Sequence, residues 1–171
     1  MSEKNKKNVI IGIILVVLVS LLALTGCAQI EVTPPKPRPD APKSHVLPVN
    51  YDRLWSRAIG WFDAHEAEIT DIDERNGLIY GIVPVATGSD RLDCGTFHIN
   101  SPLSRPQLTQ SANVRVQMRG VLSTHPQVLV VVTGTYKLDL IDNYAAQTIR
   151  RTGPCVSRGT LESEILSFLV G

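Results

Sequence analysis

Asn113-Val114-Arg115-Val116-Gln117-Met118-Arg119 alternates residue by residue, valine and methionine on one side and Arg115, Gln117 and Arg119 on the other. Successive side chains of a strand point to opposite faces, so this stretch reads as an antiparallel strand with one buried and one wet face. Ser123-Thr124-His125-Pro126-Gln127 links it to a longer and greasier run, Val128 to Leu138. The valines of that run suit a central strand, with Thr133, Thr135 and Lys137 exposed toward its end. The fold is therefore built around a sheet with one polar face.

Upstream of this pair, Pro102 and Pro106 among several Ser and Gln residues mark 101–111 as a loop, and Thr96-Phe97-His98-Ile99 as a short strand. Residues 84–93 are polar and glycine-bearing and read as another loop. Ile69-Thr70-Asp71-Ile72-Asp73 and Leu78-Ile79-Tyr80-Gly81-Ile82-Val83 flank Arg75-Asn76-Gly77, and Asn-Gly between two such runs is a hairpin signal. Before them, Leu54, Trp55, Ala58, Ile59, Trp61 and Phe62 recur at helical spacing, with Asn50 or Asp52 able to cap. Trp55 and Phe62 are two turns apart and share a face, and Ala58 between them is small enough to bring helix and sheet close. The expected core of the helix–sheet contact is thus Trp55, Ala58 and Phe62; an aromatic ligand platform is the competing reading. Val46-Leu47-Pro48-Val49 fits an edge strand or a lead-in. Leu161, Ile165, Leu166, Phe168 and Leu169 mark a closing helix over residues 160–170, with Ser157 or Thr160 as its cap. The order predicts an α+β two-layer sandwich, an antiparallel sheet with helices packed on one face.

Tyr51-Asp52-Arg53-Leu54-Trp55 opening a helix, followed by an acidic stretch and Asn76-Gly77-Leu78-Ile79-Tyr80, resembles the small helix-grip domains of outer-membrane lipoproteins, of which BamC is the best known. Cys155-Val156-Ser157-Arg158-Gly159-Thr160-Leu161-Glu162 also looks like the closing segment of uncharacterised lipoproteins of similar size. The resemblance implies a helix-grip-like fold and brings no active-site residues with it.

The N-terminus points the same way. Lys4, Lys6 and Lys7 precede an apolar run from Val9 to Thr25, and Leu24-Thr25-Gly26-Cys27 closes it. This resembles the processing motif of bacterial lipoproteins, in which the cysteine is lipidated and becomes the first mature residue. A retained single-pass helix is the alternative, and the run is at the short limit for crossing a bilayer. The expected organisation is a signal peptide over 1–26, a lipidated Cys27 with a Pro-rich tether over 27–45, and one domain over 46–171. Ala28 stands where aspartate would favour inner-membrane retention, so the resemblance implies the outer membrane, periplasmic face. Pro34, Pro35, Pro37, Pro39 and Pro42 favour an extended chain of roughly 3 Å per residue, which over residues 28–44 reaches up to roughly 50 Å. A leader with no spacing role is the other reading of that segment.

Removing the signal leaves about 145 residues, enough for one domain with its own core. The whole chain carries +1 and the signal carries three lysines and Glu3, so the mature part is close to −1. Such a charge gives no electrostatic case for nucleic acid or an anionic surface, Arg150-Arg151 being the one basic cluster outside the signal. With Cys27 taken by lipid, Cys94 and Cys155 remain, and export favours a disulfide between them. Closing a loop of about sixty residues is worth about 4 kcal/mol in the loop-entropy picture. A zinc site needs about four ligands and finds only His98 near Cys94; no local histidine–cysteine arrangement supports a catalytic thiol, and an oxidised pair would be inert.

His45, His65, His98 and His125 form no zinc-peptidase pair, and no Gly-x-Ser-x-Gly elbow or phosphate loop occurs. Asp63, His65 and Glu66 are the densest titratable group and read as a solvated helix end. No catalytic residue, metal ligand or cofactor is expected. The expected function is a lipid-anchored accessory or scaffold subunit of a cell-envelope complex, with an envelope protein as partner. The alternative is a stand-alone small-ligand-binding or inhibitor lipoprotein with a cavity between its layers; an enzyme of unfamiliar type is the third reading.

Overall fold

The computed structural model describes residues 29–40, 42–100, 104–120, 123, 125–142 and 148–171. The signal segment, Leu24, Thr25, Gly26, Cys27 and Ala28 lie outside the described residues. In chain order the elements are β1 (Gln29–Thr33), β2 (Ser44–Val46), α1 (Tyr51–Ala64), β3 (Glu68–Asp73), β4 (Leu78–Val85), β5 (Leu92–Asp93), β6 (Thr96–Asn100), β7 (Ser104–Arg119), β8 (Gln127–Asp142), β9 (Thr148–Ser157) and α2 (Thr160–Val170). All strand pairs are antiparallel. The main sheet runs β3-β4-β7-β8-β9-β5, with β2 on the free stretch of β8, and β1 and β6 form a separate two-stranded ribbon. The molecule is α+β: mostly antiparallel strand, with two helices. No helix among the described residues is long and apolar enough to cross a membrane.

The alternation of β7 and β8 sorts the sheet into two faces. Ala112, Val114, Val116 and Met118 are buried with Val128, Val130, Val132, Tyr136, Leu138 and Leu140, while Asn113, Arg119, Thr133, Thr135 and Lys137 are exposed. Both strands extend beyond their apolar cores to 16 residues each. The segment 104–111, expected as a loop, is the first half of β7. Pro106 is tolerated there because β4 stops pairing at Gln110, which leaves that side of β7 an open edge. Residues 101–103 of the expected loop lie outside the described residues.

At the start of α1, Asn50 caps the helix, its Oδ1 accepting from the Arg53 amide at 2.9 Å. The helix buries Tyr51, Leu54, Ala58, Trp61 and Phe62. Trp55 is only half-buried, which corrects the expectation that it anchors the core. At about 100° per residue Trp55 and Trp61 lie about 60° to either side of Ala58, and the buried arc runs from Trp61 through Leu54, Ala58 and Tyr51 to Phe62, stopping short of Trp55. There its ring stacks on Tyr51, centroids 6.3 Å apart. Trp61, at the opposite edge of the arc, is fully buried and edge-on to Phe62.

The β3–β4 hairpin closes through Glu74-Arg75-Asn76-Gly77. Only Gly77 has positive φ (64°), so the Asn-Gly pair ends a four-residue loop rather than forming a two-residue turn. Asp73 stabilises it by accepting from the Asn76 side chain (2.7 Å) and amide (3.2 Å), which holds the Asp73 carboxyl below the usual carboxylate range.

The expected tether is partly a strand. Gln29–Thr33 pairs with β6 from Gln29↔Asn100 to Thr33↔Thr96. Phe97 of this ribbon meets Tyr136 of β8 edge-on at 4.8 Å, and Ile30, Val32 and Ile99 pack against the core. The Pro-rich residues then cross the domain to β2, held where Arg38 Nη1 donates to Glu162 Oε1 at 2.7 Å. The folded unit thus begins at Gln29 among the described residues, not near His45.

β9 is absent from the sequence reading. It pairs with β8 over Thr133↔Val156 to Ile141↔Thr148 and carries Cys155. α2 follows through Gly159, which sits at φ 90° as the N-cap without a side-chain cap bond. Neither Ser157 nor Thr160 caps the helix: the Ser157 hydroxyl donates to Glu162 Oε2 at 2.6 Å. At the other end, Arg57 of α1 donates to the Leu169 and Val170 carbonyls (2.9 and 2.6 Å), closing the C-terminus of α2.

Candidate functional site

Cys94 follows β5 and Cys155 lies on β9; the two form a disulfide, Cα atoms 4.1 Å apart, each about 4% exposed. Cys155 is opposite Gly134 of β8, and a side chain at Gly134 would run into Cys155 and Leu92. The bridge therefore joins β5 and the start of the ribbon to the middle of the sheet. Both sulfurs are consumed by it, and His98 is on the ribbon with β1 opposite it.

The titratable group at the end of α1 is divided by the fold. Asp63 and Glu66 are exposed, whereas His65 is drawn against α2. Its Nδ1 faces the Trp61 carbonyl at 2.8 Å and its Nε2 faces Glu164 Oε1 at 2.9 Å, with the ring stacked on Trp61 at 4.4 Å. Arg91 donates to the other Glu164 oxygen at 2.9 Å. A carbonyl can only accept, so Nδ1 carries a hydrogen. The group ties α1, α2 and the loop before β5 together.

A second buried polar set lies where β9 turns into α2. Ser157 and Glu162 are 4% and 7% exposed. The Glu162 carboxylate accepts from Ser157 on one oxygen and from Arg38 on the other, and the Gly159 amide donates to Ser157 Oγ at 3.1 Å. Each carboxylate oxygen thus has a donor, and the strap, α2 and β9 meet at one point. Residue spacing gave no sign of this set, because Arg38 and Glu162 are 124 positions apart.

The open ground is the wet face of the sheet. Tyr80 and Ile82 of β4, Asn113 and Arg115 of β7, and Val131 and Thr133 of β8 line a shallow, mostly apolar groove of about 310 Å³. The register sets Tyr80, Arg115 and Val131 side by side across three strands. Arg115 lies over the Tyr80 ring, its guanidinium carbon 5.8 Å from the centroid, and donates to Gln117 Oε1 at 2.7 Å. Its Nε–H is out of water and meets no acceptor among the described residues. A buried donor left open costs about 1–3 kcal/mol, and an incoming acceptor would recover that. Ile82 remains 37% exposed beside it. To one side stand Glu68, Asp71 and Asp73 of the edge strand β3; to the other, Lys137 and Arg150 flank Asp139, and the Arg150 guanidinium first and Lys137 next hold its carboxyl below the usual range. The groove thus sets apolar surface beside a guanidinium with one buried donor still open. Sequence alternation marked Arg115 as wet-facing, but only the register pairs it with Tyr80 and Val131.

Compared with protein-family models and with curated proteins, the chain matches none.

Proposed function

We propose that the protein is a lipid-anchored lipoprotein of the outer membrane, facing the periplasm, and an accessory or scaffold subunit of a cell-envelope complex. The observation that carries this reading is Leu24-Thr25-Gly26-Cys27 at the end of a lysine-led apolar run. A disulfide between the other two cysteines accords with an exported domain. The finer architecture in this reading is a helix-grip-like two-layer sandwich; the Phe62 ring against Gly81 of β4 supports it.

The partner-facing surface is the groove around Arg115. Its apolar floor and open guanidinium donor fit a polypeptide that brings an apolar side chain and a carboxylate together. A ligand cavity between helices and sheet has less support, because Leu54, Ala58, Trp61, Phe62, Leu161 and Ile165 fill that space at about 0–1% exposure.

The test has two parts. Labelled palmitate should be incorporated by the wild-type protein and not by the Cys27→Ser variant. After crosslinking in intact cells, affinity purification should recover a defined heavier species. Labelling of the Cys27→Ser protein, or recovery of monomer alone, would overturn the respective half of the proposal.

A further inference from the structure

One residue, Ala28, stands between Cys27 and Gln29, the first residue of β1, so two chain steps join them. Two extended residues reach at most about 7 Å. β1 is bonded along its whole length to β6, and the ribbon packs on Tyr136 and the core. The attachment cysteine is therefore joined to a fixed part of the domain almost without slack.

The register says which part. From Asn100, opposite Gln29, the chain reaches Ser104 within four residues; Ser104 pairs with Asp142, and Ile141 with Thr148. Gln29, Asn100, Ser104 and Thr148 thus mark one pole of the sheet. The Asp73–Leu78 hairpin, Arg119 and Gln127 mark the opposite pole. β7 has 16 residues, which at about 3.4 Å each sets the poles roughly 50 Å apart.

We propose that the ribbon pole rests on the phospholipid headgroups and that the sheet stands up from the membrane, presenting the hairpin pole to the periplasm. This rests on the lipoprotein reading and adds the orientation of the anchored domain to it. The reach expected of the Pro-rich segment is supplied by β7 and β8 instead. That segment starts at the ribbon, returns toward the far pole, and is latched by Arg38 to Glu162, so it works as a strap across the domain and not as a spacer below it. The exposed residues toward the ribbon pole accord with a headgroup contact. Arg105, Arg150 and Arg151 all present guanidinium groups there, Arg150 also bonded to Asp139 at 2.8 Å, against Glu31 on the ribbon. Guanidinium donors match phosphate oxygens in bidentate geometry.

The test uses the mature lipidated protein in nanodiscs of phosphatidylethanolamine and phosphatidylglycerol that contain a lipid with a nitroxide on its headgroup. Amide signals of Gln29, Asn100, Ser104 and Thr148 should lose intensity several-fold, while those of Asp73, Leu78, Arg119 and Gln127 keep theirs. A Gly-Ser insert of about ten residues between Ala28 and Gln29 should erase the difference between the poles. Even attenuation over the domain, or the strongest loss at the hairpin pole, in protein that co-elutes with the discs would overturn the orientation while leaving the anchor intact. Protein that fails to co-elute with the discs would overturn the lipoprotein reading, and the orientation with it.

Discussion

Gly81 leaves no room for a side chain: a methyl group there would sit 2.5 Å from the Phe62 ring and 3.0 Å from the Glu68 carbonyl. Gly81→Ala should therefore destabilise the domain by about 1–3 kcal/mol, read from the urea midpoint; an unchanged midpoint would mean that α1 does not press on β4. The aromatic side chains of α1 separate by the same measure. Trp61→Ala removes a fully buried ring and should cost about 3–5 kcal/mol, whereas Trp55→Ala removes a flank ring and should cost clearly less. Helical spacing put Trp55 with Ala58 and Phe62 in the expected core; the phase of the buried stripe, set by the sheet, buries Trp61 there instead. Tyr51 carries a pH signature. Burial first, then the charges of Glu74, Asp52 and Asp73, raise its phenol above the ordinary value, and the hydroxyl donates to the Glu74 carbonyl at 3.3 Å. A raised acid contributes stability that is fully present below its unfolded value of about 10 and is lost as pH rises through the folded value. Thermal scans above pH 10 should show that loss in the wild type and a smaller one in Tyr51→Phe.

The Cys94–Cys155 bridge and the β1–β6 ribbon are the two elements whose removal should be most informative. Replacing both cysteines with serine should lower stability by about 4 kcal/mol at most, because the closed loop spans 61 positions and the loop-entropy figure is an upper range. Truncation to residue 44 removes β1 and the strap together. It should expose Phe97 and Tyr136, free Glu162 from Arg38 and lower the melting temperature by several degrees; a truncated domain as stable as the full one would restore the segment to a mere leader. These elements also show what sequence could convey. β7, β8, α1 and the hairpin announce themselves by local periodicity and turn residues. β1, β9 and the first half of β7 do not: β1 is five residues whose partner β6 lies far along the chain, while β9 and the first half of β7 carry glycine or proline breakers. β9 contains Arg150-Arg151 and Gly153-Pro154, yet Gly153 lies beneath the Tyr136 ring and Pro154 occupies an open edge. The strap latch at Glu162 was illegible because its partners are 124 positions apart, whereas the cysteine pair was legible by elimination once Cys27 was set aside.

Across the whole molecule, one face of the sheet carries the buried residues of β7 and β8, and the other is left to solvent with the Arg115 groove in it. The disulfide, the His65–Glu164–Arg91 link and the Arg38–Glu162–Ser157 latch are tied into the fold, whereas the Arg115 groove stays open. The central claim is that this face meets an envelope protein while Cys27 holds the domain at the membrane. Site-directed photocrosslinking in living cells tests it most directly, with a photoreactive residue in place of Ile82 in the groove and, as a control, in place of the exposed Ser56 on α1. One discrete heavier adduct is expected from position 82, weakened by Arg115→Ala and lost with Cys27→Ser, and none from position 56. Monomer alone from position 82, or the same adduct from both positions, would contradict it.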